Sequence, residues 1–355
     1  NKHSPAPPLP HSMPRGTTLL RMNQRPDTQQ NQTWQQEVAR SRLTPEQLCS
    51  QLQLPENLAL SMVKGDQLFP IRAPQSYLNR IEPCNEQDPL LKQILPTEDE
   101  AVTVSGYSAD PVGDHHATQT EGVLQKYHGR ALLIPTASCP IHCRYCFRRA
   151  YPYQDNRLSL QNSQAIEWID ADQSLHEVIL SGGDPLMLSN DRLETLINRL
   201  GAISHLKTLR IHSRIPVVLP ERIDHTLLNH LEHCRLNVVM VIHCNHPLEI
   251  DDTARAALSR LKPVVTALLN QSVLLKGIND STAVLEQLSH TLFNAGVLPY
   301  YLHLLDRVNG SHHFEVEESM AHQFLQTLRS LLPGYLVPKL VREIAGEPCK
   351  SPRIE

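Results

Sequence analysis

Nowhere in the 355 residues does an apolar run approach the roughly 18 positions that a membrane-crossing helix needs, and the first residues lack the apolar core of a secretion signal. There is no basic excess either: 33 lysines and arginines against 37 aspartates and glutamates leave a formal net charge of −4. This excludes the electrostatic footprint of a general nucleic-acid or membrane-surface binder and leaves small molecules as the expected partners. Such a chain is expected in the cytoplasm. There its eight cysteines stay reduced, so a tight group of them reads as a metal site and not as a disulfide framework. Methionine is missing from position 1, which makes Met22 a candidate natural start with an upstream extension before it.

Residues 1–30 are rich in Pro, Ser, Thr and Gln and have little to bury, so they read as a disordered extension. Residues 31–120 carry helical apolar spacing punctuated by Pro55, Pro70, Pro74, Pro83, Pro89 and Pro96, the mark of a small helical domain. The rhythm then changes. β-rich runs stand at 130–136, 177–182, 208–213, 237–243, 264–270 and 298–306, with helical patterns between them. Alternation of this kind predicts repeated βα units and a parallel sheet, open or rolled into a barrel, over 121–330. Polar or cysteine-bearing residues follow each run, and in barrels chemistry sits at the C-terminal ends of the strands.

What the sequence also lacks is a fourth cysteine near SCPIHCRYCFRR, residues 138–149, where Cys139, Cys143 and Cys146 fall within eight positions. Structural zinc sites are closed by four protein ligands, and His142 or a distant residue would have to complete one here. Three thiolates in one loop instead suit a [4Fe–4S] cluster with one iron left open to a small molecule.

This loop resembles that of the radical S-adenosylmethionine superfamily, including the aromatic Tyr145 before the last cysteine. The resemblance implies a partial (β/α)6 barrel with the cluster loop after its first strand. It further implies that Gly182, Gly183 and Asp184 of SGGDPL receive the methionine amino group of S-adenosylmethionine. Over about 85–353, KYHGRALL, CRYCFRR, SGGDPL, HSRIPVVLPERI, NQSVLLKGIND, YYLHLLD and GYLVPKLVREIAGEPCKSP are similar to the lysine 2,3-aminomutase family. That family carries pyridoxal 5′-phosphate on a lysine near its C-terminus. Lys350, in a short 331–355 segment, matches that lysine, although read alone it is a solvated tail residue. Arg130 and Arg214 match positions near the phosphate, with Lys126 and Tyr127 behind them. His243 and Gln271 match S-adenosylmethionine contacts, the alternative for His243 being a buried histidine bonded to backbone.

For the substrate, the resemblance implies that Arg148 holds a carboxylate and that Asp306 and Glu343 hold the far ammonium of lysine. A guanidinium fork suits a carboxylate. Glu343 departs from the family's usual Asp by one methylene. The implied reaction converts (S)-α-lysine to (R)-β-lysine through a 5′-deoxyadenosyl radical and pyridoxal phosphate, with a flavodoxin or ferredoxin as electron donor and a homo-oligomer as a possible assembly. Five residues follow Lys350, fewer than in lysine-fermenting members. With SGGDPLML and GYLVPKLVREI, this resembles the branch that supplies β-lysine to a ligase for modifying elongation factor P. A glutamate or other amino-acid 2,3-aminomutase is the alternative within the family. A zinc-stabilised binding module built on His142 and the three cysteines is the alternative outside it.

Overall fold

The computed structural model describes residues 27–152, 158, 164–347 and 349–352. The stretch expected to be disordered lies outside these, apart from its last four positions, which belong to the helix Asp27–Arg40. Next comes the helix Pro45–Leu52. Its start is fixed by a reciprocal pair: the Thr44 hydroxyl accepts the Gln47 N–H, and the Gln47 side chain accepts the Thr44 N–H. Helix Glu56–Leu68 follows, and Pro55, Pro74 and Pro89 each stand at a helix start, where a missing N–H costs nothing.

Ten strands form one sheet in chain order. β1 (Thr118–Thr120) and β2 (Val123–Leu124) make an antiparallel hairpin. β3 (Arg130–Leu133), β4 (Glu177–Leu180), β5 (Thr208–Ser213), β6 (Asn237–His243), β7 (Ala267–Val273), β8 (Leu298–His303) and β9 (Lys339–Arg342) run parallel. β10 (Ser351–Pro352) turns back antiparallel on β9. Since β1 and β10 are not paired with each other, the sheet is an open partial barrel. All six expected strands are present. The fifth begins later than expected, because Lys262–Val264, with Pro263 inside it, forms a 3-10 turn. β9 is an unexpected seventh parallel strand, a short run between Pro338 and Glu343.

Helices cover the outer face. Asn190–Gly201 shows how: Ser189 caps it by accepting the Arg192 N–H, and Leu193, Leu196, Ile197 and Leu200 bury one stripe. Those side chains join Leu133, Leu180, Leu209 and Met240 of the sheet in a core that also takes in Trp34, Leu48, Met62 and Tyr77 of the N-terminal helices. The boundary drawn at residue 120 therefore marks a change of secondary structure, not a gap in packing. Among the described residues no helix is long and apolar enough to cross a membrane.

Arg144, fully buried, ties the N-terminal helices to the cysteine loop. It donates to both Glu100 carboxylate oxygens, at 2.8 and 2.5 Å, and to the Phe69 and Gly65 carbonyls, at 2.5 and 3.0 Å. Replacing it leaves the buried Glu100 with one ion-pair partner, Arg149, and the Thr97 N–H. Arg144→Met is expected to lower stability by about 3–5 kcal/mol, read as a drop in denaturant midpoint at unchanged slope.

Candidate active site

Side chains alternate across each strand, so every second residue of the parallel strands points to the inner face. There they line one cavity of about 980 Å³, which holds all the expected site residues. Arg210, His212 and Arg214 reach it from β5 and its end, and Tyr301, His303 and Leu305 from β8 and its end.

The three cysteines lie on the loop after β3. Two glycines let a second loop approach it. Gly182 has φ +106°, and a Cβ there would lie 2.6 Å from the Ile134 side chain; at Gly183 it would lie 2.7 Å from the Ala137 carbonyl carbon and the Ser138 oxygen. The loops are stitched by Gly183 N–H to Thr136 C=O at 3.0 Å and Asp184 N–H to Ser138 C=O at 2.9 Å. Burial pushes the Cys139 thiol well up, and Cys146 up to about 11, with neighbouring Cys143 adding to both. A metal binding here displaces thiol protons.

Three soft donors on one loop fit an iron–sulfur cluster. The zinc alternative loses its nearby fourth ligand. His142 Nδ1 lies 2.8 Å from the Pro70 carbonyl, and its ring stacks on Phe69, outside the cavity lining. Among the described residues, no group of three His, Cys, Asp or Glu is arranged to hold a single metal ion.

Two expected site residues have partners within the fold. Asp184 spends its carboxylate inside the fold, accepting from the Ser213 hydroxyl at 2.8 Å and the N–H groups of Arg214, Ile215 and Leu186 at 2.8, 3.2 and 3.1 Å. It ties the ends of β4 and β5 together at the cavity edge. Arg214 turns toward the cysteine loop. Its guanidinium donates to Cys143 Sγ at 2.6 Å, Gln93 Oε1 at 2.7 Å and Glu249 Oε2 at 2.9 Å, which places it at the cysteine loop.

His243 and Gln271 are directly opposite in the β6–β7 register, and the Gln271 amide meets His243 Nε2. Burial first, then the charges of Arg214, Lys350 and Arg148, hold His243 down to about 3, so the ring is neutral. His243 thus bonds to a side chain and not, as the alternative had it, to backbone.

Lys350 is no solvated tail residue. β10 pairs with β9 so that Ser351 faces Arg342, which puts Lys350 across from Glu343. Its Nζ lies 3.5 Å from Glu343 Oε2, 3.3 Å from His303 Nε2 and 5.4 Å from the Tyr301 ring centroid. Burial lowers its pKa against the pull of Glu343 and Asp306, which favours the nucleophilic amine. Of the phosphate candidates, Lys126 is taken by Asp114, Glu343 and the Val112 carbonyl, and burial, then the nearby Glu343 charge, push the Tyr127 hydroxyl up. Arg130 lies over the Tyr127 ring at 5.2 Å with no ion pair among the described residues, so it is the guanidinium that fits a phosphate.

Asp306 and Glu343 leave adjacent strand ends. Burial first, then Glu343, pushes Asp306 up to about 7. Burial works the other way on Glu343, but Lys350, Lys126 and Arg148 hold it below the usual range. Arg148 donates to Asp114 at 2.7 Å and to Ser181 at 3.2 Å. Sequence reasoning missed Asp114 and His303. Tyr301 and His303 alternate with Leu302 and Leu304, a signal that was legible; Asp114 sits in VGDHHATQT, which has no period.

Gly183→Ala drives a Cβ into the backbone that leads to Cys139. The expected cost is about 1–3 kcal/mol of stability, with reduced iron uptake on anaerobic reconstitution and unchanged far-UV circular dichroism.

A 4Fe-4S single cluster domain family matches residues 128–213, the segment holding both the cysteine and glycine loops. The L-lysine 2,3-aminomutase of Escherichia coli K12 is 44% identical over 92% of this chain and 96% of that protein. That of Haemophilus influenzae is 44% identical over 92% and 97%. That of Clostridium subterminale is 36% identical over 78% and 67%. Among solved structures, a radical SAM methyltransferase from Sphaerobacter thermophilus aligns over 62% of this chain and 68% of that one, at 16% identity and a TM-score of 0.44, a loose likeness on which nothing here depends. With three thiols and a lysine amine lining one cavity, and the Escherichia coli and Haemophilus influenzae proteins matched over nearly their whole length, the chain belongs to the lysine 2,3-aminomutase family.

Proposed function

We propose that this protein moves the amino group of L-lysine from C2 to C3, giving β-lysine. The observation that carries the substrate assignment is the pair Asp306 and Glu343 beside Lys350, in a cavity that Arg148 also lines. Arg148 takes the α-carboxylate, and Asp306 with Glu343 takes the ε-ammonium. A glutamate mutase would need cationic or neutral groups where these two acids stand. Cys139, Cys143 and Cys146 would hold the cluster, Gly182, Gly183, His243 and Gln271 would contact S-adenosylmethionine, and Lys350 would carry pyridoxal phosphate with Arg130 as a phosphate partner. Bound, these groups supply the electron, the hydrogen-abstracting radical and the carrier on which nitrogen migrates. The protein's own share is orientation of lysine by its two charged ends.

The SGGDPLML and GYLVPKLVREI strings support a further reading, in which (R)-β-lysine made in the cytoplasm with flavodoxin- or ferredoxin-type reductant goes to elongation factor P through its ligase.

The test is anaerobic reconstitution with iron, sulfide and pyridoxal phosphate, followed by turnover of carbon-labelled lysine. β-Lysine should form only with S-adenosylmethionine and reductant, and borohydride should fix the pyridoxyl group to Lys350. Conversion of glutamate in place of lysine, or label on another lysine, overturns the assignment.

The raised pKa of Asp306 adds a pH dependence. A carboxyl at about 7 is mostly protonated below that value, and only its anion attracts an ammonium. Lysine binding therefore strengthens as pH rises through about 7, and below it KM is expected to grow by up to tenfold per unit. Asp306→Asn should flatten that profile; an unchanged slope would assign the titration elsewhere.

A further inference from the structure

Four charged side chains are linked pair by pair beside the cavity: Arg148, Lys126 and Glu343 line it, and Asp114 is buried behind them. Asp114 is the pivot. One of its oxygens accepts from Arg148 Nε at 2.7 Å, and the other lies 2.6 Å from Lys126 Nζ. The same ammonium donates to Glu343 Oε1 at 2.9 Å and to the Val112 carbonyl at 2.9 Å, which bridges the two acids. Asp114 is 1% exposed, a site where a carboxylate persists only when paired.

The pivot is itself fixed. The Asp110 carboxylate accepts the N–H groups of Asp114 and His115 at 2.8 and 3.1 Å. Gly113, at φ +69°, packs so closely that a Cβ there would lie 3.0 Å from Ala345 Cβ, two residues past Glu343. The turn bearing Asp114 is therefore docked on the segment bearing Glu343.

We infer that Asp114 and Lys126 are positioning residues that tie Arg148 to Glu343 and so fix the span between the carboxylate and ammonium subsites. This rests on the lysine reading above. Lys126 holds Oε1 of Glu343, so the substrate ammonium meets the Oε2 side, which Lys350 Nζ approaches to 3.5 Å, together with Asp306. A span held by direct ion pairs favours one chain length, and a diamino acid one methylene shorter, ornithine, cannot reach both ends without moving the linked side chains.

The experiment compares kcat and KM for lysine and ornithine in reconstituted parent enzyme, Lys126→Met, Lys126→Arg and Asp114→Asn. Lys126→Met should raise the lysine KM about tenfold with a smaller change in kcat, and should narrow the lysine-over-ornithine ratio of kcat/KM about tenfold. Lys126→Arg, which keeps the charge, should restore most of that ratio. A merely structural role would lower both substrates together and leave the ratio alone, and that result overturns the inference. So does an equal loss in the Arg and Met variants. If Lys126→Met does not fold, the same ratio is read in Asp114→Asn, which keeps the side-chain size. A parent that fails to convert lysine brings down the functional reading and this inference together. A parent that converts it, with variants of unaltered ratio, brings down the inference alone.

Discussion

Charge buried on the inner face of the sheet must be paired, and that requirement organises most of the molecule. An unpartnered ion in such surroundings costs more than the fold can spare, so most of the buried acids recruit a cation. Glu100 takes Arg144 and Arg149, Glu249 takes Arg214, Glu177 takes Arg210, and Asp114 takes Arg148 and Lys126. Asp184 finds no cation and is held by hydrogen-bond donors instead, three of them backbone; burial still leaves its carboxyl raised to about 6.

These pairings divide the cavity into two working regions. Around the cysteine loop, Arg144 and Arg214 reach back to the N-terminal helices and to Gln93, Glu100 and Glu249, so the thiols sit on a braced segment. Further support comes from Arg72, which donates to the Cys139 carbonyl at 3.1 Å, and from its own carbonyl, which accepts the His142 N–H at 2.9 Å. Around Lys350 the brace is the β9–β10 hairpin. It brings an amine with a lowered pKa beside two carboxylates of opposite tendency, Glu343 held ionised and Asp306 pushed toward neutrality. Arg148 belongs to both regions. It follows Cys146 by two residues, and through Asp114 and Lys126 it is linked to Glu343.

Much of this was legible in the residues. The cysteine spacing, the paired glycines and the polar residue after each β-rich run depend on local order, and local order is what a sequence displays. Strand positions were legible for the same reason, since a run of branched apolar residues between turn formers has few other fates. β9 escaped because four residues beside a proline carry too little pattern, and His303 because its alternation with leucines was read only as strand.

The sequence by itself determined the parallel sheet, the loop that presents three thiols and the rim on which the site is built, because each follows from spacing within a few dozen residues. Only the tertiary structure decided which charge answers which. Arg214 stands at the end of its strand as expected, yet its partners Gln93, Cys143 and Glu249 lie 121, 71 and 35 residues away, and they draw it to the cysteines. Asp114 and Lys350 look like loop and tail until the sheet closes over them. A buried ion pair depends on distance in space, and that distance exists only once the strands have been set side by side.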